Sequence, residues 1–363
     1  MVKKLALYKS TLSLAIIAAA AGRMVSSPLA KEAMQRVWLL SFVLLFVLGF
    51  TGAQREACPN AALLDPCTCD ASGINCMNAQ TAEQLQESFA APGQNEHHGL
   101  WIQRTPIRYV NNGAFGNFKF VQVYIELNEN LTEFVLDSLG RSRNTLRVLS
   151  FFGNALSTFS FEKVAEYPEL MILNLAKNRL TDIPPRAFSS WRLEKLVLSF
   201  NPITSVGHFA FDALPNLESL HMTNTHLTTL GPYSLAMQNS NPKLRLMLSN
   251  SSISHIHATA FEGVRPSYVF LKHNNLTSLP QGAFLTLARN VQRNAWRRSD
   301  SKIGAIFTAG NPLSCQGCDY LWIQERVQNV ILRRIFLDFR CADGTRLFEL
   351  ENTDINCDPN TPR

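Results

Sequence analysis

The stretch LMILNLAKNRL, residues 170–180, fills every position of the string LxxLxLxxNxL. Outward from it, LRVLSFFGNAL (146–156) and LEKLVLSFNPI (193–203) fit with Phe or Ile substituted. LESLHMTNTHL (217–227) has Thr225 in the Asn slot, and KLRLMLSNSSI (243–253) has Ser251 there. PSYVFLKHNNL (266–276) restores Asn274. Two weaker copies come first, HHGLWIQRTPI (97–107) and FVQVYIELNENL (120–131), the second with one extra residue. Start-to-start spacings are 23, 26, 24, 23, 24, 26 and 23 residues. Such regularity is the mark of a stacked repeat.

Positions 4 and 6 of each copy, such as Leu173 and Leu175, are two apart on a short strand and face inward together. Positions 1 and 11 close the corner. An Asn at position 9 sits where the chain leaves the strand, and its amide can pair turn groups otherwise buried unpaired. Further round each coil Pro and Phe recur, as in Pro184–Phe188 and Pro280–Phe284, with Phe115, Phe211 and Phe261 in the equivalent place. One coil buries too little to offset the cost of ordering it, so coils must stack. The expected fold is therefore an α/β-type leucine-rich-repeat solenoid: a parallel sheet on the concave face, an irregular or short-helical convex side. Its ends would expose core and strand edges unless capped.

Eight cysteines stand where caps are needed: Cys58, Cys67, Cys69 and Cys76 before the repeats, Cys315, Cys318, Cys341 and Cys357 after them. Two even clusters behind a signal-like leader read as disulfides, although Cys315-x-x-Cys318 also has zinc-ligand spacing. Val37–Phe50 is an uncharged apolar run of signal-peptide length, followed by the small residues Thr51-Gly52-Ala53. Cleavage after Ala53 is expected, giving a secreted chain. The earlier apolar run Leu12–Ala21 leaves two alternatives: a start at Met34 with 1–33 a gene-model extension, or retention of both runs as a membrane anchor. The expected domains are a leader at 1–53, an N-terminal cap at 54–96, repeats at 97–313 and a C-terminal cap at 314–363. The net charge of +6 is carried mostly by the leader, where six basic residues face one acid, leaving +1 for 54–363. A nucleic-acid partner therefore lacks an electrostatic basis.

Residues 287–302 interrupt the period with five basic residues and one acid, and a final degenerate coil runs over 303–313. A solvated loop or short amphipathic helix is the expectation there, with a basic contact surface as the alternative. Exposed strand positions project onto the concave face. The middle column reads Trp101, Tyr124, Ser150, Asn174, Val197, His221, Met247 and Phe270. The next reads Gln103, Glu126, Phe152, Ala176, Ser199, Thr223, Ser249 and Lys272. Large aromatics on a polar sheet are typical protein anchors, although scattered exposed aromatics are ordinary. Trp101, Tyr124 and Phe152 are the leading candidates because they fall in neighbouring coils; Asn174, His221 and Phe270 complete the candidate surface. Asn130, Asn250 and Asn275 open N-glycosylation acceptors, none in a ladder slot. No nucleophile elbow, phosphate-binding glycine loop or paired-His metal motif occurs. His97 and His98 are adjacent and so point to opposite faces of a strand, His221 and His226 read as surface histidines, and Asp65 with Asp70 make a thin calcium set. No cofactor, metal or catalytic residue is expected.

NPLSCQGCDYLWIQERV, followed by Cys341 and Cys357, resembles the C-terminal flanking cap of extracellular leucine-rich-repeat proteins. That resemblance implies pairing of Cys315 with Cys341 and of Cys318 with Cys357, although many such caps have Cys-x-Cys at the first pair. CPNAALLDPCTCDASGINC resembles the matching N-terminal cap, whose pairing stays open. Over 54–357 the chain is similar to arthropod proteins described as the non-catalytic subunit of Oplophorus-luciferin 2-monooxygenase. This implies a non-catalytic chain that accompanies a small catalytic subunit. The alternative is a matrix, adhesion or receptor-type ectodomain that binds a protein or glycan, such as a cell-surface protein.

Overall fold

In the computed structural model, residues 58–92, 95–297, 304–324, 335–350 and 357 are described. The leader, with its cleavage point and both apolar runs, lies outside them, as do Arg298 and Lys302 of the basic stretch. Among the described residues no helix is long and apolar enough to cross a membrane.

Eleven strands form one sheet in strict chain order. They are β1 (Thr68–Asp70), β2 (Gly73–Asn75), β3 (Glu96–Gln103), β4 (Lys119–Glu126), β5 (Val148–Ser150), β6 (Ile172–Asn174), β7 (Lys195–Val197), β8 (Ser219–His221), β9 (Arg245–Met247), β10 (Tyr268–Phe270) and β11 (Ala305–Phe307). β1 and β2 are an antiparallel hairpin, and every later pairing is parallel. Positions 4 and 6 are buried throughout, as in Leu173/Leu175 and Leu196/Leu198. The expected convex aromatics Phe115, Phe188, Phe211, Phe261 and Phe284 are buried as well. The sides away from the sheet are turns, 3-10 segments such as Leu136–Ser142 and Phe161–Glu166, and two-residue parallel pairs.

The strands are short because the chain turns out of the sheet at a fixed place. The residue before each ladder position has a left-handed backbone: Arg104, Leu127, Lys177, Phe200, Asn224, Asn250 and His273, with Gly153 and Gly310 in the remaining coils. For a side-chain-bearing residue this costs about 1 kcal/mol. The N–H of that residue reaches the following coil, as in Lys177 to the Ser199 carbonyl at 2.9 Å and Phe200 to that of Thr223 at 3.0 Å. The next residue locks the turn. The Asn201 amide donates to the Leu175 and Leu198 carbonyls, 2.9 Å each, and accepts from the Leu180 N–H at 3.1 Å, so one side chain ties two coils. Asn154, Asn178 and Asn274 do the same, joined by Asn128 and Asn311. In the copy with one extra residue, that residue follows Asn128 and lets Leu131 still reach the core.

Both ends are closed by disulfides. Cys58 pairs with Cys69 and Cys67 with Cys76, which resolves the open N-terminal connectivity. Cys315–Cys341 and Cys318–Cys357 match the cap resemblance. At the front, helices α1 (Ala61–Leu64) and α2 (Ala82–Ser88) lead to Phe89, whose ring meets Phe115, Phe118 and Phe120 edge-on at 5.0 to 6.0 Å. At the back, Tyr320 and Trp322 donate to the carbonyls of Thr277 and Leu279, both at 2.7 Å. The basic stretch falls in a helix, α3 (Gln281–Arg297), which begins ahead of the interruption. Phe284, Leu287, Ala288 and Val291 are buried along it, and Asn290 donates to the Val264 carbonyl at 2.9 Å. Arg289 and Arg293 are exposed.

Candidate functional site

Register pairing puts the middle column in one line: Trp101 opposite Tyr124, then Ser150, Asn174, Val197, His221, Met247 and Phe270. It is longer than the sequence showed, since Asn75 precedes Trp101 and Phe307 follows Phe270. Phe307 was hidden because α3 breaks the spacing; Asn75, because it belongs to a cap hairpin rather than to a repeat.

Trp101 and Tyr124 are half-buried and nearly parallel, with ring centroids 6.0 Å apart and planes 9° apart. The indole lies back over Gly99, two residues earlier on the same face, where a Cβ would meet ring atoms at 2.1 Å. Gly99 is thus what lets the ring lie flat. Beside this platform Glu126 is held by the Gln103 amide at 2.8 Å and by the Ser150 hydroxyl. Asn174 donates to Ser150 at 3.1 Å, and the Tyr124 hydroxyl donates to Gln122 at 3.0 Å. Burial, and then the Glu126 charge, push the Tyr124 phenol above its ordinary pKa, so it stays a donor. Glu126 has no cationic partner among the described residues. Phe152, expected with the first two aromatics, is half-buried one column over and makes no ring contact with them. A second aromatic set stands at the far end, where Phe270 stacks on Phe307 at 4.7 Å and the Lys272 ammonium lies 5.0 Å from the Phe307 ring.

His221 is half-buried, with its Nε2 2.6 Å from the Ser219 hydroxyl. A third exposed column, which carries Lys195 and Arg245, was passed over in sequence although period-two alternation places it on this face. His97 is buried against Phe118, 5.6 Å between rings, while His98 is exposed, so the pair points apart as expected. His226 is exposed. Asp65 and Asp70 are exposed, and the Asp70 carboxylate accepts the Ser72 N–H at 2.7 Å within the hairpin turn. Away from the sheet, a cleft of about 410 Å³ is lined by Pro168, Trp191, Asp212, Pro215 and Asn239. Trp191 is 59% exposed, and nothing in the repeat pattern marked it.

The ladder, the single parallel sheet and the paired caps make this fold a leucine-rich-repeat solenoid. The leucine rich repeat family model matches residues 168–227 and 191–240 of this leucine-rich-repeat chain. The chain is 26% identical to the Oplophorus-luciferin 2-monooxygenase non-catalytic subunit of Oplophorus gracilirostris, over 81% of this chain and 86% of that one. Mouse keratocan is 27% identical over 44% of this chain and 53% of its own length. Zebrafish transforming growth factor beta activator LRRC33 is 25% identical over 50% of this chain and 28% of its own. Among solved structures, a chain from the octameric complex of latrophilin 3, Unc5D and FLRT2 superposes with a TM-score of 0.53 at 18% identity, over 83% of this chain and all of that one. That last likeness bears on the fold alone.

Proposed function

We propose that this leucine-rich-repeat scaffold is an extracellular, non-catalytic binding protein whose concave face takes a protein partner at the Trp101–Tyr124 platform. The observation that carries the reading is that stacked, half-exposed pair beside an unneutralised carboxylate. A flat aromatic surface with a nearby acid suits an arginine or lysine of the partner, through cation–π contact and charge pairing. Similarity over nearly the whole length to a non-catalytic subunit supports an accessory role beside a small secreted catalytic chain. The matrix or receptor reading draws on matches that cover only about half of this chain.

The test is isolation of the secreted protein from its native tissue with mass spectrometry of co-purifying chains. A stoichiometric small chain is expected, and it should be lost from tagged Trp101→Ala and Gly99→Ala variants that are still secreted. Retention in both variants would reject the platform, and a single chain bound to cell surfaces would favour the receptor reading. Asn130, Asn250 and Asn275 are all exposed just past strand ends, and we place N-glycans on at least two of them. Peptide N-glycosidase should therefore speed the secreted chain on a gel; unchanged mobility rejects the glycans.

A further inference from the structure

Lys195, Ser219 and Arg245 are register partners on β7, β8 and β9. With neighbouring strands roughly 4.8 Å apart, the two cationic side chains leave the sheet roughly 10 Å from each other, astride Ser219. Both are exposed, and among the described residues neither forms an ion pair. His221 projects from the same face two residues after Ser219, bonded to its hydroxyl. Burial, then Lys195 and Arg245, hold the imidazole below its ordinary pKa, so both cations act at that point. The flanking strands and their exits add only Val197, Ser199, Met247 and Ser249 to this face. The acids at the strand entries are Glu194 and Glu218, and Glu218 pairs with Lys243 at 3.1 Å.

We infer that Lys195, Arg245 and the Ser219–His221 pair form a carboxylate-binding subsite, and that its occupant is an acidic segment of a protein partner. Two exposed, unpaired cations supply the charge and the donors a carboxylate needs, and the half-buried imidazole, held in place by the buried Ser219 hydroxyl, lies between them. In the three exposed columns Glu126 is the sole acid, four strands towards the N-terminal end. A uniform polyanion such as a sulfated glycan, laid along the face, would meet that carboxylate. A protein surface carrying an acid over β8 and a base over Glu126 satisfies both. The protein class of the partner rests on the reading above; the subsite itself does not use Trp101 or Tyr124.

The probe is a hexaglutamate peptide, titrated at low ionic strength into the full chain with its histidines isotopically labelled. A bound carboxylate opposes the field of the two cations, so the His221 pKa should rise saturably as peptide is added. Affinity should also tighten severalfold between pH 7.5 and 5.5, because the protonated imidazole adds a third positive charge. Lys195→Gln with Arg245→Gln, both at exposed positions and with the native fold checked by circular dichroism, should weaken binding at least tenfold. Trp101→Ala should leave the response intact, so failure of the platform and failure of the subsite are separable. An absent response, or one that survives the double substitution, overturns the subsite. A heparin hexasaccharide that binds more tightly through the same two cations overturns the protein assignment.

Discussion

Asn201 shows how much of this fold hangs on one amide. Its bonds reach carbonyls in two coils and an N–H in the preceding one. Asn201→Ala leaves buried groups without partners, at about 1 kcal/mol or more apiece, so a loss of about 2 to 4 kcal/mol is expected in urea unfolding. Thr225 makes a lesser link, exchanging hydrogen bonds with Ser251 alone. Thr225→Ala should cost about 1 kcal/mol, and equal losses at the two sites would contradict the ladder account. The Asn slots were readable because each falls at a fixed offset from three apolar residues. Asn128 and Asn311 escaped that reading, the first because an extra residue follows it, the second because α3 displaces it. The left-handed position before each slot was not readable. Six residue types besides glycine occupy it, since in most coils a coil-to-coil hydrogen bond rather than a glycine holds the turn.

Helix α3 is the element whose outcome departs most from a plain repeat. Its basic residues set it apart in sequence, yet its buried face starts at Ala283 and Phe284, inside the recurrent Pro–Phe position of the coil before. The helix is therefore that coil's convex segment drawn out, packed by Leu287, Ala288 and Val291 and pinned by Asn290 to the Val264 carbonyl. Leu287→Ala should cost about 2 to 4 kcal/mol, as a buried truncation does. Arg289→Gln and Arg293→Gln should change stability by less than about 0.5 kcal/mol. Thermal unfolding distinguishes the two; a large loss from the arginine variants would mean that the exposed face is packed. Composition flagged the segment, but only the buried periodicity seen against its neighbours tells a drawn-out coil from an inserted loop.

Across the solenoid each coil touches only those beside it, so stability passes along the stack and the ends matter most. Cys315–Cys341 closes a sequence separation of 26 residues beside the last coil. On a chain-entropy scale such a loop is worth about 3 to 4 kcal/mol. Replacing both cysteines by serine should speed amide exchange at β11 and α3 first, and leave β4 and β5 near their native rates. Uniform acceleration along the sheet would show a globally cooperative unit instead.

Period, alternation and cysteine placement were enough to settle the architecture, because a repeat of about 24 residues with fixed apolar offsets admits one way of burying itself. The same alternation named the column that carries Trp101, Tyr124, His221 and Phe270. What packing alone decided is how those side chains meet. Gly99 lets the indole lie flat, Glu126 is held beside it by residues from neighbouring coils, and Lys195 and Arg245 flank the Ser219–His221 pair from the neighbouring strands. Each of these contacts joins residues some two dozen positions apart or depends on ring orientation, and a linear pattern carries neither.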